Sequence, residues 1–305
     1  MNDQPAFSGR RTFLQRPAEV EDGGAPDVTV VGVPFDLGVT NRPGCRFGPS
    51  ALRESSLMLM DGAQQDMRVT PWEDMRIVDA GDLDVVCGYT DETLDMIEKQ
   101  MKSIDGHVVT LGGDHTITWP ILRAKAEKHG KGISLVHFDA HVDTWKDNFG
   151  AKIGHGTPFH HASQEGLIDP KQSVQIGIRS PTDNDTMDYT RDELGFTIVS
   201  AEDVHMNGVA HVVETIKKTV GDNMAYLTFD IDGLDPSQAP GTGTPEVGGL
   251  FTWQALAIIK QLGDMNWIGM DLVEVAPAYD HAQITSLAGA TLVWTYLCLL
   301  AKNKG

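Results

Sequence analysis

The chain has 305 residues, 41% hydrophobic and 22% charged, with 43 acidic against 24 basic residues and a net charge of −19. That length suits one large α/β domain with a substantial core. The acidic balance argues against nucleic acid as a partner, because phosphate binding needs basic patches, and mildly favours a cationic substrate.

Residues 1–26 are polar and rich in Gly and Pro, and are read as an N-terminal arm ahead of a single domain over 27–305. Met1 to Val20 carries charges and no apolar h-region, so no secretory signal is expected there. Val28–Val33 is a β-branched strand, followed by a loop with several glycines and prolines through Arg42, Cys45 and Arg46. Pro49 and Ser50 then start a helix to about Met60. So long a loop inside a compact domain is more often functional than idle. Arg46 in it suits an anion or a neighbouring subunit, or plain packing.

Further apolar runs recur at 75–79, 107–111, 133–138, 174–178, 196–199, 224–229 and 267–272, with helical patterns between most of them. Leu94, Ile97, Met101 and Ile104 share one helix face, as do Val209, Val212, Val213, Ile216 and Val220. Near-continuous apolar strands alternating with helices mean a parallel sheet covered on both faces, whose ligands bind at the strands' carboxyl ends. Leu287–Ala301 is read as a buried or intersubunit helix, too short and too rich in Ala and Thr for a membrane span. Cys45, Cys87 and Cys298 are scattered without C-x-x-C spacing, as in a reduced cytoplasmic protein.

Chemistry concentrates just after three of the strands. Gly112-Gly-Asp114-His115 follows the first, Asp139-Ala-His141-Val-Asp143 the second, and Asp230-Ile-Asp232-Gly-Leu-Asp235 the third. Asp139, His141 and Asp143 share a side of an extended chain and converge only if it curls after Asp139. Adjacent carboxylates at Asp230 and Asp232 repel one another unless a cation intervenes. Mixed carboxylate and imidazole donors without cysteine suit Mn²⁺ or a similar divalent ion, and four carboxylates balance two such ions.

Taken in order, these motifs, with His155-Gly-Thr, Ala239-Pro-Gly-Thr-Gly-Thr244-Pro-Glu and Asp271-Leu-Val-Glu274-Val, resemble the ureohydrolase (arginase/agmatinase) family over roughly residues 28–300. The resemblance implies an arginase/deacetylase-like fold, a three-layer αβα sandwich around an eight-stranded, mainly parallel sheet. It implies two Mn²⁺ per subunit, with Ni²⁺ or Co²⁺ as alternatives. One ion is then held by His115, Asp139, Asp143 and Asp230, the other by Asp139, His141, Asp230 and Asp232. It also implies a homo-oligomer, trimer or hexamer, acting in polyamine metabolism; no membrane partner is expected.

A guanidinium carbon is a poor electrophile, and two cations sharing a water lower its pKa enough to attack it. Asp143 is assigned as proton relay and His155 as shuttle to solvent, its ordinary pKa lying near neutrality; a plain loop histidine is the alternative. Glu274, by the resemblance, pairs with the substrate guanidinium, against a salt bridge to an arginine. Thr244 is either a hydrogen-bond partner of a ligand carboxylate or a turn residue, and His137 either such a partner or a core histidine. His160, His161, His205 and His211 are expected at the surface.

Arginases tend to carry Asn two residues after the third ligand of Asp-x-His-x-Asp, where this chain has Trp145. That departure favours agmatine, cleaved to putrescine and urea. Lys146, Arg42 or Arg46 near the pocket would instead suit a guanidino acid such as 4-guanidinobutanoate or 3-guanidinopropanoate. Guanidine, arginine and the deacetylase-like amide substrates are the remaining readings.

Overall fold

A computed structural model describes residues 8–304; the first seven residues of the expected arm lie outside it. Eight strands form one sheet: β1 Val28–Gly32, β2 Ile77–Asp82, β3 His107–Leu111, β4 Ser134–Phe138, β5 Val174–Ile178, β6 Thr197–Ser200, β7 Met224–Asp230 and β8 Asn266–Val273. Their order is β2-β1-β3-β8-β7-β4-β5-β6, with every neighbouring pair parallel. The apolar runs read from the sequence are these strands, within a few residues.

Alternation of side chains splits the core between the two faces. Val136 and Phe138 of β4 and Leu227 and Phe229 of β7 pack beneath the helices Ala201–Val220, Thr252–Ile259 and Ile284–Lys304. Leu135 and Tyr226, one residue out of phase, face the helices Thr90–Lys102 and Thr118–His129 with Leu94, Ile97 and Ile121. This is the expected three-layer sandwich.

The C-terminal helix is longer than the sequence reading allowed. Ile284–Lys304 spans 21 residues and holds an 18-residue window of mean hydropathy 1.7, enough by length and composition to cross a membrane, yet 72% of that window is buried within the protein. Phe13 to Gln15, within the stretch read as an arm, form a buried turn. The amides of Phe13 and Leu14 donate to Asp79 Oδ2 at 2.6 Å and Ser56 Oγ at 2.8 Å.

The site sits where β3, β4, β7 and β8 end side by side. Gly113 makes that junction: a Cβ there would lie 2.0 Å from the Phe35 carbonyl oxygen and 2.7 Å from that of Val33. Only glycine lets the chain after β3 pass so close to the chain after β1.

Candidate active site

Three strand ends close with the same local device. Asp114 Oδ1 accepts from the Thr116 amide at 2.9 Å, Asp139 Oδ1 from His141 at 2.6 Å, and Asp230 Oδ1 from Asp232 at 2.8 Å. An aspartate that binds its own backbone two residues on bends the chain out of the sheet. This supplies the curl after Asp139 that the spacing required. Asp143 completes it in the left-handed region, at φ 51.

The six side chains expected to hold ions are brought together. His115 Nδ1 lies 2.9 Å from Asp143 Oδ2, 3.2 Å from Asp139 Oδ2 and 3.4 Å from Asp230 Oδ2. His141 Nδ1 is 3.2 Å from both Asp139 Oδ1 and Asp232 Oδ2. His115 Nδ1 is buried and makes no hydrogen bond to any of the carboxylates around it. A nitrogen aimed between three carboxylate oxygens in this way sits where a cation would satisfy all of them. Asp139, His141 and Asp232 form a group able to hold a metal ion, as do His115, His137 and Asp139. The donor set therefore fits divalent cations.

Electrostatics point the same way. Burial, then the charges of Asp232 and Asp139, raise the Asp230 carboxyl well above its ordinary range. Asp232 is raised by burial against the pull of His141. For Asp139 burial acts upward, but His115, His137 and His141 together hold it well below the usual carboxylate value. A dry cluster that cannot carry its full negative charge is relieved by cations.

Glu274 lies behind these groups, fully buried and at φ 66. Its Oε1 accepts from the His115 amide at 2.9 Å and lies 3.0 Å from His155 Nδ1, while Oε2 is buried without a partner. Burial lowers the His155 pKa, but the Glu274 charge, then Asp143 and Asp114, outweigh it and raise it to about 9. At Nε2, Thr40 offers its hydroxyl at 2.8 Å and its amide at 3.2 Å. The hydroxyl accepts from the protonated ring and the amide donates to the neutral one, so both states are satisfied there.

The cleft above has a volume of about 290 Å³. Asp143, Asp230, His141, His155 and Thr244 line it, with Trp145, Phe149, Pro181 and Asp147 also among its walls. None of the bases considered from the sequence lines it. Lys146 is exposed, its Nζ 4.4 Å from the Tyr189 ring; Arg42 lies 5.4 Å from the Tyr279 ring; Arg46 is paired with Asp36. Arg179 spends its guanidinium on backbone carbonyls of residues 177, 232–234, 246 and 247.

Thr244 Oγ1 donates to Asp232 Oδ2 at 3.2 Å, and His137 Nε2 lies 2.8 Å from Asp139 Oδ2, so both take the partner role rather than the bland one. His160 and His161 are half-buried, against Tyr189 and Trp119; His205 and His211 are exposed. Thr40, Asp114, Asp147, Thr228 and Asp271 had no role assigned from the sequence, although Asp114, Asp147 and Asp271 stand beside or within the motifs singled out there.

A parallel αβα sandwich with an imidazole and carboxylate cluster at its strand ends defines a metal-dependent hydrolase class, and comparison with known proteins is specific. The arginase family model matches residues 26–298. The chain is 45% identical to an agmatinase of Chromobacterium violaceum, covering 98% of this chain and 91% of that protein. It is 43% identical to a guanidinobutyrase of Pseudomonas aeruginosa, covering 98% and 95%. A crystal structure of a hypothetical agmatinase from Burkholderia thailandensis superposes with a TM-score of 0.90 at 44% identity, covering 98% and 93%. The chain belongs to the arginase family, a family of binuclear metal enzymes. It is a ureohydrolase, an amidinohydrolase cleaving a guanidino group.

Proposed function

We propose that the enzyme hydrolyses agmatine to putrescine and urea with two Mn²⁺ per subunit. The observation that carries the substrate is the cleft's charge. Its ionisable lining is acidic or imidazole, Asp147 among it, and Lys146, Arg42, Arg46 and Arg179 are engaged elsewhere. A guanidinium with a second cationic end suits such a cleft; a carboxylate end finds no counter-charge in it.

His115, Asp139, Asp143 and Asp230 would hold one ion, and Asp139, His141, Asp230 and Asp232 the other, oxygen-rich sets that suit Mn²⁺ and also accept Ni²⁺ or Co²⁺. When bound, the pair supplies a water acidified enough to attack at neutral pH. Glu274 keeps the buried Oε2 for the guanidinium. Asp143 takes the proton released at the floor and delivers it to the departing amine nitrogen. His155, with Thr40 serving either protonation state, exchanges protons with solvent. Water and the guanidinium compound yield an amine and urea, so atoms balance without a further reactant. Trp145 and Pro181 face the methylene chain and exclude water.

A cytoplasmic setting is supported by the three unpaired cysteines; a trimer or hexamer rests on the family resemblance, with Met206, Val247 and Trp253 exposed as surface such assembly would cover. The test is urea release by the Mn²⁺-loaded protein from agmatine, 4-guanidinobutanoate, arginine and guanidine. Preference for agmatine upholds the reading; preference for 4-guanidinobutanoate transfers it to the guanidino acid, and no urea from any of them overturns it.

A further inference from the structure

One residue row crosses the sheet directly beneath the strand ends. Gln175, His137, Thr228, Asp271 and Thr110 are successive register partners on β5, β4, β7, β8 and β3, all on one face and all fully buried. In a sheet interior such positions are ordinarily apolar, and polar groups there need partners. Three atoms of this row nevertheless have none: Gln175 Oε1, Asp271 Oδ1 and Thr110 Oγ1. Polar side chains so placed serve something other than the core.

The row meets the ion-binding cluster at two points. His137 Nε2 lies 2.8 Å from Asp139 Oδ2, and Thr228 Oγ1 lies 2.8 Å from His115 Nε2. The second contact sets a choice of tautomer. If Thr228 donated to Nε2, the proton of a neutral His115 ring would sit on Nδ1, the nitrogen that faces Asp139, Asp143 and Asp230, and Nδ1 could not ligate. If Nε2–H donates instead, Nδ1 keeps its lone pair, and the Thr228 proton needs another acceptor. Asp271, its register partner on β8, presents its unpartnered carboxylate oxygen Oδ1 as that acceptor. The Asp271 Oδ2 atom accepts from the hydroxyls of Thr118 at 2.8 Å and Tyr226 at 3.0 Å, which fixes the carboxylate in place.

We propose that Asp271, acting through the Thr228 hydroxyl, is a positioning residue that holds His115 in the tautomer able to bind a metal ion through Nδ1. The relay rests on His115 being a ligand, as proposed above. It makes Thr228 a bridge whose hydroxyl, not its shape, matters. Carboxylates that orient a ligating histidine typically tune affinity by about 10–100-fold.

The test is Mn²⁺ binding to the full-length apo-protein, read by the electron paramagnetic resonance of free Mn²⁺ during titration, beside the apo-protein's Tm. Thr228→Val keeps shape and loses the hydroxyl; it is expected to weaken one of the two sites about 10–100-fold with the apo Tm little changed. Thr228→Ser is expected to bind like the wild type. Asp271→Asn is expected to weaken the same site, and the double variant no more than either single one, since both interrupt one relay. Wild-type affinity in Thr228→Val, or equal losses in the Val and Ser variants, overturns the relay alone. Wild-type protein that binds no Mn²⁺ overturns the metal reading and the relay with it.

Discussion

Glu274 Oε1 stands 3.0 Å from His155 Nδ1 and 2.9 Å from the His115 amide, joining the proposed shuttle histidine to the loop that carries a proposed ligand. The other oxygen of the same carboxylate is left free in a buried position. Glu274→Gln keeps the shape and removes the charge. Loss of a buried charge-assisted contact to the guanidinium is expected to lower kcat/KM for agmatine about 10²-fold. The His155 pKa, held at about 9 chiefly by Glu274 against the downward pull of burial, should fall toward the ordinary 6.5. A pH titration of the His155 Cε1–H resonance in both proteins checks this; an unchanged midpoint would show that Glu274 is not the cause.

Asp147 is expected to set the charge preference at the far end of the substrate. Asp147→Asn should reduce kcat/KM for agmatine about 10-fold, mostly through KM, because only a screened rim charge is lost. Asp147→Lys should shift the preference toward 4-guanidinobutanoate. Steady-state kinetics on both substrates decide it, and parallel changes on the two would remove Asp147 from specificity.

Gly113→Ala is predicted to destabilise by about 1–3 kcal/mol, because the added Cβ meets backbone oxygens that cannot swing away. Chemical denaturation measures the loss. A variant as stable as wild type would mean that the β1 and β3 ends separate easily.

His107 begins β3, at the opposite end of that strand from the site, with Nε2 2.8 Å from the Tyr296 hydroxyl. Burial first, then the positive charges of Lys125 and His129, lower its pKa from 6.5 to about 3. A depressed folded value means that the unfolded chain binds the proton more readily. The stability contributed is therefore complete above about pH 6.5 and is lost as pH falls toward 3. In His107→Gln this part of the acid decline should disappear. Denaturation midpoints compared between pH 7.5 and 4 test it, and identical slopes in the two proteins would refute it.

Particular residues show where the sequence was legible. Val136, Phe138, Leu227 and Phe229 lie in apolar runs, so the strands and their parallel order were readable as a class. Asp139, His141 and Asp143 were readable as a set that converges if the chain curls after the strand; the aspartate turn that makes the curl shows only in the structure. The left-handed backbone at Glu274 left no trace, since a glutamate is not among the glycine, asparagine and aspartate residues that more often adopt it. Thr228 and Asp271 acquire meaning only through register, which brings together residues 43 apart in the chain. Which bases face the cleft was equally hidden: Lys146 stands between Trp145 and Asp147, which line it, yet points to Tyr189.

On the proposed reading these strand ends hold a pair of ions. Anomalous scattering from Mn²⁺-saturated crystals, recorded at the manganese edge, tests it most directly. Two peaks per subunit are predicted, one between His115 Nδ1 and Asp143 and one between His141 Nδ1 and Asp232, with Asp139 and Asp230 touching both. A single peak, or density away from these side chains, would contradict it.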